Sequence, residues 1–310
     1  MNVIRDLGQN KIIFRNVVLA IGVFDGLHRG HQQLIKKVIA RARKTRGTAM
    51  VMTFWPHPVH VLKPEIRLPL LVSLEHRLKL FENLGVDVCV VVPFTLQFSQ
   101  LSPKEFIENY LVRKLKPVEV FVGYDFRFGH ARSGGLDLFQ QEGEEFGFKV
   151  NIFDAVKGGR HIISSTRIRE LISCGDLHKA SRLLGRSVSL MGTVCRGDAR
   201  GKKLGFPTAN INLTCEVIPP CGVYAVRVIL SKKKFYGMAN IGRRPSFHKE
   251  DGRINIEVHI FNFHQKIYGQ EIIVEFFKKI RDERMFNSKD QLIEQLKRDE
   301  KKARKLLSRV

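Results

Sequence analysis

Val17-Val18-Leu19-Ala20-Ile21-Gly22-Val23-Phe24-Asp25-Gly26-Leu27-His28-Arg29-Gly30-His31 is the stretch on which the fold turns. The run Val17 to Phe24 is apolar on successive residues, as a strand covered on both faces must be. Glycines then interrupt it. Beyond them Leu34, Ile35, Val38, Ile39 and Ala42 recur at helical spacing, with Lys36, Lys37, Arg41 and Arg43 on the opposite face. Covered strand, glycine-rich turn and amphipathic helix together form the repeating unit of a parallel sheet.

The same alternation continues outward. Ala49 to Phe54, Val86 to Val92, Val118 to Gly123 and Lys149 to Phe153 read as further strands. Leu74 to Leu84, Ser102 to Leu115 and Gly135 to Phe146 read as helices between them. Ser102 caps its helix and Pro103 fits the first turn. The first half is therefore expected to be α/β, a doubly wound parallel sheet. After about residue 187 the pattern changes. Val188 to Val194, Gly222 to Leu230, Phe235 to Ile241, Ile254 to Phe261 and Ile272 to Phe277 are short strands separated by glycine and proline, with one long helix from Ser288 to Arg309. That pattern predicts a small antiparallel β-barrel with a terminal helix. Residues 167–186 read as a helical linker. With 310 residues, two domains are expected, 1–186 and 187–310.

Polar and glycine clusters follow the strands of the first half. Gly22 to His31 follows the first, and Thr53-Phe54-Trp55-Pro56-His57-Pro58 the second. Gly123-Tyr124-Asp125-Phe126-Arg127-Phe128-Gly129 follows the fourth, and Ser164-Ser165-Thr166-Arg167-Ile168-Arg169 the fifth. Ligands bind outside the carboxyl ends of strands in open parallel sheets, so the four clusters are expected to line one crevice. His28 and His31 share a helix face, and Gly26 and Gly30 let backbone approach a ligand. Imidazoles beside a helix N-terminus suit the charge on a phosphorus under in-line attack. Taken alone, such a turn also reads as a helix cap with two surface histidines. Ser164, Ser165 and Thr166, with Arg167 and Arg169, supply hydroxyls and guanidinium forks for leaving phosphates, although Thr166 also suits a plain N-cap. His57 stands between prolines as a ligand contact or a rigid loop residue. Asp125 and Arg127 either reach a ligand or pair with each other.

Lys plus Arg is 53 against 30 Asp plus Glu, a net charge of +23. This favours polyanionic or phosphorylated partners. The basic residues are scattered, which argues against a nucleic-acid arm. Lys232-Lys233-Lys234 reads as a hairpin tip and Lys297 to Arg309 as the outer face of a helix. Five cysteines, an odd number without zinc spacing, are expected to be small core residues in a reducing compartment. No apolar stretch reaches the roughly 18 residues that span a membrane. The N-terminus, with Asp6, has no secretory character.

The order of GxFDGxHxGH, TFxPHP, GxDFRFG and SSTRIR resembles the N-terminal module of the bacterial bifunctional riboflavin kinase/FAD synthetase family. The second half carries that family's other motifs: Gly192-Thr193-Val194, Gly197-Asp198-Ala199-Arg200-Gly201, Gly205-Phe206-Pro207-Thr208-Ala209-Asn210, Gly222-Val223-Tyr224, Asn240-Ile241-Gly242, Glu257-Val258-His259, Tyr268-Gly269 and Arg281-Asp282-Glu283. The resemblance spans roughly residues 15 to 300. It implies a nucleotidyltransferase-like Rossmann module and a kinase barrel, in a cytoplasmic enzyme. Its small-molecule substrates would be riboflavin, FMN and ATP, with Mg²⁺ required and FMN and FAD as products. No nucleic-acid or membrane partner is expected, and an oligomer is not predicted.

Carried over residue by residue, the resemblance puts ATP against Gly22, Phe24, Asp25, Gly26, His28, His31, Ser164, Ser165, Thr166 and Arg167. His28, His31 and Arg169 would act in adenylyl transfer, and His57, Pro58, Asp125 and Arg127 would meet the flavin. In the kinase half, Gly197, Arg200, Gly201, Lys202, Gly205, Pro207, Thr208 and Asn210 would hold ATP and its phosphates, and Thr208 and Asn210 would hold Mg²⁺ through hard oxygen ligands. Glu257 alternates away from Ile256 and Val258 along its strand and is the candidate base for the ribityl hydroxyl. The chain departs from the family pattern at Ser246, where threonine is usual, and at Asn262, where aspartate is frequent. Asn262 motivates an alternative in which the barrel binds flavin without phosphorylating it. An RNA-binding reading rests on charge alone and lacks interleaved aromatics.

Overall fold

The computed structural model describes residues 1–5, 7, 14–159, 161–197, 201, 204–213, 215–243 and 254–308. Asp6, Arg200, Lys202, Lys203 and Ser246 lie outside the described residues. Two compact units emerge. One comprises Met1–Leu68 and Leu74–Ser164, the other Pro69–Ser73 and Ser165–Val310.

The first unit holds six parallel strands: β1 (Asn2–Ile4), β2 (Val17–Ile21), β3 (Ala49–Trp55), β4 (Val88–Pro93), β5 (Pro117–Gly123) and β6 (Lys149–Phe153). Their order is β1-β4-β3-β2-β5-β6, every pairing parallel. The order reverses between β2 and β5, so that pair forms the switch point of the doubly wound sheet. The alternation along β2 shows why its apolar run is continuous. Val17, Leu19 and Ile21 join one core with Phe106, Leu111 and Phe139. Val18 and Ala20 join the other with Leu34, Ile35, Val38 and Phe81. Burying each large aliphatic side chain contributes about 1.5–3 kcal/mol, so a strand with both faces covered cannot alternate with polar residues.

Helices α1 (Arg29–Lys44), α2 (Pro58–Leu62), α3 (Leu74–Leu84), α4 (Leu96–Ser99), α5 (Pro103–Phe106) and α6 (Leu136–Phe146) connect the strands. The helix expected from Ser102 to Leu115 instead changes to a π-helical stretch at Ile107–Val112. Its start is as read: Ser102 and Glu105 form a reciprocal capping box with Pro103 behind it. The first strand ends at Ile21 rather than Phe24, because Phe24 turns into left-handed backbone at φ 52°. A short hairpin, β7 (Lys157–Gly158) and β8 (His161–Ile162), precedes Ser164.

The second unit opens with α7 (Ser165–Ser173) and α8 (Leu177–Leu184), where a helical linker is expected from sequence. Thr166 lies inside the first turn of α7, so it is not the N-cap. Six strands follow: β9 (Val188–Cys195), β10 (Ala209–Asn212), β11 (Gly222–Leu230), β12 (Lys233–Arg243), β13 (Ile254–Ile260) and β14 (Glu271–Arg281). They close into an antiparallel barrel, β10-β13-β12-β11-β14-β9. Ser231 and Lys232 both take positive φ in the two-residue turn between β11 and β12, so the triple-lysine stretch is a hairpin tip. Helix α9 (Lys289–Leu307) is capped by Ser288 and buries Ala303 and Leu307 against Val223, Ala225 and Met238. Pro69–Ser73 groups with this unit through backbone bonds: Leu70 donates to the Cys215 carbonyl at 2.8 Å, and Val217 donates to the Leu70 carbonyl at 2.7 Å.

The cysteines correct one expectation. Cys89 is in the core, but Cys174, Cys195 and Cys215 are exposed and Cys221 is half-buried; none of the five is in a disulfide.

Candidate functional site

The quoted stretch folds into a cradle at the carboxyl end of β2. Gly22 donates its N–H to the Met52 carbonyl at 3.1 Å, continuing the sheet for one residue past the strand. The chain then turns through Phe24 and Leu27, both at positive φ although neither is glycine. Such backbone costs of order 1–3 kcal/mol per residue, and here it clusters where the loop meets α1. Gly22 is required because a Cβ there would stand 2.9 Å from the Phe24 ring. Asp25 and His28 are buried, at 3% and 7% exposure.

His28 caps α1, its Nδ1 accepting the N–H of His31 at 3.4 Å. An accepting Nδ1 leaves the proton of the neutral ring on Nε2. The two imidazoles stack with centroids 3.6 Å apart and planes inclined by 18°, and Phe24 meets His31 edge-on at 5.3 Å. The His31 Nδ1 is buried and has no hydrogen-bond partner among the described residues. Burial first, then the adjoining His28 and the guanidinium of Arg77, hold the His31 pKa well below the usual imidazole value. His31 is therefore neutral at pH 7, and a proton on it would be repelled from two directions.

Arg77 was not legible from motifs. It is fully buried on α3 and donates to the Val23 carbonyl at 2.8 Å and to Thr53 Oγ1 at 3.3 Å. Thr53 also donates to the Val23 carbonyl, at 3.0 Å. Arg77 thereby ties the end of β3 to the loop after β2. Its signal was positional: with Leu74 and Phe81 it occupies the inward stripe of an amphipathic helix, where an arginine needs a reason.

The clusters after β2, β3 and β5 stand at the same edge of the sheet on three adjacent strands, two of them flanking the switch point. His57 is 8% exposed and caps α2, its Nδ1 accepting the Val59 N–H at 3.2 Å, with Pro58 in the first turn. Asp125 and Arg127 are exposed, and no ion pair joins them among the described residues. Between and after them Phe126 and Phe128 turn inward and stack at 5.3 Å, packing on Phe139. The charged pair is therefore displayed by an aromatic anchor. Ser164 closes the first unit, while Ser165, Thr166, Arg167 and Arg169 belong to the second. There Arg167 pairs with Glu170 at 3.0 Å and Arg169 Nε donates to the Pro69 carbonyl at 2.8 Å.

In the barrel, cross-strand register builds a second site. Glu257 of β13 faces Asn210 on β10 and Asn240 on β12. Directly paired residues share a face, so the carboxylate and two amides form one row. Ile256, Val258 and Ile260 alternate into the interior, which puts Glu257 on the outer face. Asn255 Nδ2 donates to Glu257 Oε1 at 2.8 Å, orienting the carboxylate. Asn240 adds an amide that motif reading left without a role. Gly197 lies under the Asn210 amide, where a Cβ would collide, and a Cβ on Gly201 would stand 3.3 Å from Thr208 Oγ1. Gly205 takes φ 81° ahead of Phe206-Pro207. Arg200 and Lys202 fall outside the described residues.

Asn262 retains a cationic neighbour. Its Oδ1 accepts from Arg304 Nη2 at 3.2 Å, and the guanidinium also covers the Phe261 ring at 4.3 Å. Its φ of 55° is backbone that asparagine tolerates well.

Residues 11–167 match the family model for FAD synthetase, and residues 184–307 match that for riboflavin kinase. The chain is 40% identical over 299 residues to a bifunctional riboflavin kinase/FMN adenylyltransferase from Listeria monocytogenes, covering 95% of this chain and 94% of the relative. It is 39% identical over 288 residues to the one from Escherichia coli K12, covering 93% and 91%. A solved structure described as a macrolide-efflux protein from Streptococcus pneumoniae superposes with a TM-score of 0.82 at 32% identity, covering 97% of this chain and 98% of that one. Among the described residues, no helix is long and apolar enough to cross a membrane.

Proposed function

The chain belongs to the family of bifunctional riboflavin kinase/FMN adenylyltransferases, and from that premise we propose how its residues divide the work. It is a transferase. One half phosphorylates riboflavin to FMN with ATP, and the other joins FMN to an adenylyl group from ATP, yielding FAD and pyrophosphate. We assign adenylyl transfer to residues 1–186 and the kinase to 187–310, in a cytoplasmic enzyme.

The stacked His28–His31 pair at the head of α1, with its His31 ring neutral, is the observation that carries the adenylyltransferase reading. An FMN phosphate oxygen attacks the α-phosphorus of ATP, and the bond to the β-phosphate bridging oxygen breaks as pyrophosphate leaves. His28, with its proton on Nε2, donates toward the developing phosphoryl charge, and the N-terminus of α1 adds backbone N–H groups. We assign the ATP cradle to Gly22, Phe24, Asp25 and Gly26 with both histidines. Ser164, Ser165, Thr166, Arg167 and Arg169 would hold the leaving phosphates. His57, Pro58, Asp125 and Arg127 are assigned to the flavin.

In the kinase half the row Asn210–Glu257–Asn240 supports Glu257 as the base that takes the proton of the ribityl hydroxyl while the hydroxyl oxygen attacks the γ-phosphorus and the bond to the β–γ bridging oxygen breaks, releasing ADP. A hydroxyl, an amide oxygen and a nearby carboxylate are hard donors. Close to the backbone of Gly197 and Gly201, where a Cβ would collide, they would suit Mg²⁺. Thr208 and Asn210 would hold the ion, which neutralises phosphate charge when bound. Gly197, Arg200, Gly201, Lys202, Gly205 and Pro207 are assigned to the ATP phosphates.

Incubation with riboflavin, ATP and Mg²⁺ followed by chromatography tests the whole reading. FMN and FAD should both accumulate. FAD formed only from added FMN would reject the kinase assignment.

A further inference from the structure

His259 follows Glu257 by two residues on the same face of β13 and has no role in the assignments above. Its Nδ1 stands 2.8 Å from the carbonyl oxygen of Pro207. A carbonyl only accepts, so Nδ1 carries the hydrogen and donates it, leaving the lone pair of the neutral ring on Nε2. The ring is fixed edge-on by Phe206 at 5.3 Å and by Phe261 at 5.8 Å. Behind Phe261 lies the Arg304 guanidinium of the terminal helix. The imidazole is thus aimed by its neighbours at one backbone oxygen.

That oxygen occupies a particular place. The segment Pro207-Thr208-Ala209-Asn210 enters β10 only at Ala209, where the ladder with β13 begins. Upstream, Gly205 at φ 81° is a pivot that side chains do not restrain. Pro207 has no N–H to tie down, so its carbonyl is the handle its backbone offers. With the ladder holding Asn210 and the imidazole holding Pro207, Thr208 is clamped from both sides.

We propose that His259 is a positioning residue of the kinase half: by holding the Pro207 carbonyl it sets the Thr208 hydroxyl and the Asn210 amide oxygen together for magnesium-bound ATP. The inference rests on the reading of the barrel as the kinase.

Two substitutions separate a donor from mere bulk. The amide nitrogen of asparagine overlays Nδ1 of histidine, whereas that of glutamine overlays Nε2. His259→Asn should therefore keep the bond to Pro207 and His259→Gln should lose it. Amide hydrogen exchange of the 204–210 peptide reads the clamp directly. It should quicken several-fold in His259→Gln and stay within about twofold of wild type in His259→Asn. The KM for ATP in riboflavin phosphorylation should rise by up to about tenfold in the glutamine variant only, as loss of one hydrogen bond allows. FAD formation from supplied FMN should be unchanged in both, and the barrel's own melting transition serves as the folding control. If the glutamine variant does not fold, His259→Ala replaces it. Wild-type exchange and KM in the donor-less variant, or equal impairment of both variants, would overturn the proposal. A wild-type protein that fails to phosphorylate riboflavin would instead overturn the kinase assignment, and the exchange comparison would still report on the clamp.

Discussion

Two imidazoles in van der Waals contact, with a buried guanidinium nearby, cannot readily hold a proton between them, and this has a consequence for stability. In the unfolded chain His31 titrates near its ordinary value of about 6.5. In the folded unit its pKa lies well lower, for reasons of burial, His28 and Arg77. Unfolding therefore takes up a proton at acid pH. The stabilisation is fully present above about pH 6.5 and is lost as pH falls through that value toward the folded pKa, by up to about 1.4 kcal/mol per pH unit. His31→Gln should flatten this slope, so its first-unit melting temperature changes less between about pH 7 and 5 than that of the wild type. A variant as acid-sensitive as the parent would show that His31 is not the titrating group. Cys89 gives a second check at this scale. Burial pushes its thiol pKa up to about 12 against the opposing charges of Arg77 and Arg5, so iodoacetamide should label Cys174, Cys195 and Cys215 in the native protein and spare Cys89.

At the scale of elements, the start of α1 joins helix propensity to function in opposite senses. Gly30 lies in the first turn, where alanine would favour the helix by up to about 1 kcal/mol. Its Cβ would stand 3.2 Å from the His28 ring, closer than side chains ordinarily sit, and the ring must yield. Gly30→Ala should keep or raise the melting temperature while lowering FAD formation; unchanged FAD synthesis would detach the ring geometry from the reaction. Helix α9 offers the converse case. Asp299 sits in its inward stripe at 2% exposure, paired with Arg281 at 2.8 Å and bonded by Gln295 at 2.7 Å. Removing one member of such a pair leaves an uncompensated charge, so Asp299→Ala should destabilise the barrel by about 3–5 kcal/mol, read by calorimetry. The long terminal helix was legible in sequence, but its buried aspartate was not, since the ion pair reaches back to a strand. Likewise β1 and β10 escaped because each is only three or four residues long. Periodicity needs more length than that to register.

For the molecule as a whole, legibility divides by sequence distance. The parallel sheet was readable because strands buried on both faces stay apolar throughout, and the histidine turn after β2 because its residues are consecutive. Asn240 beside Glu257, His259 on Pro207 and Arg77 beneath Val23 were not readable as contacts. Each depends on pairing between segments many residues apart, which no local pattern encodes. The site assignments also imply that the two reactions draw on separate residues, the histidine pair in one unit and the Glu257 row in the other. His31→Ala should abolish FAD formation yet leave riboflavin phosphorylation, and Glu257→Gln should slow phosphorylation by about 10²–10⁴-fold while FAD still forms from added FMN. Mixed together with riboflavin and ATP, the two variants should then make FAD that neither makes well alone. The FMN must cross from one molecule to the other through solution, so FAD should appear after a lag that shortens as the Glu257→Gln partner is raised toward saturation of free FMN. Failure of the folded mixture, with each half-reaction intact, would mean that FMN does not leave the molecule that made it, and the reactions would then have to be treated as one coupled site.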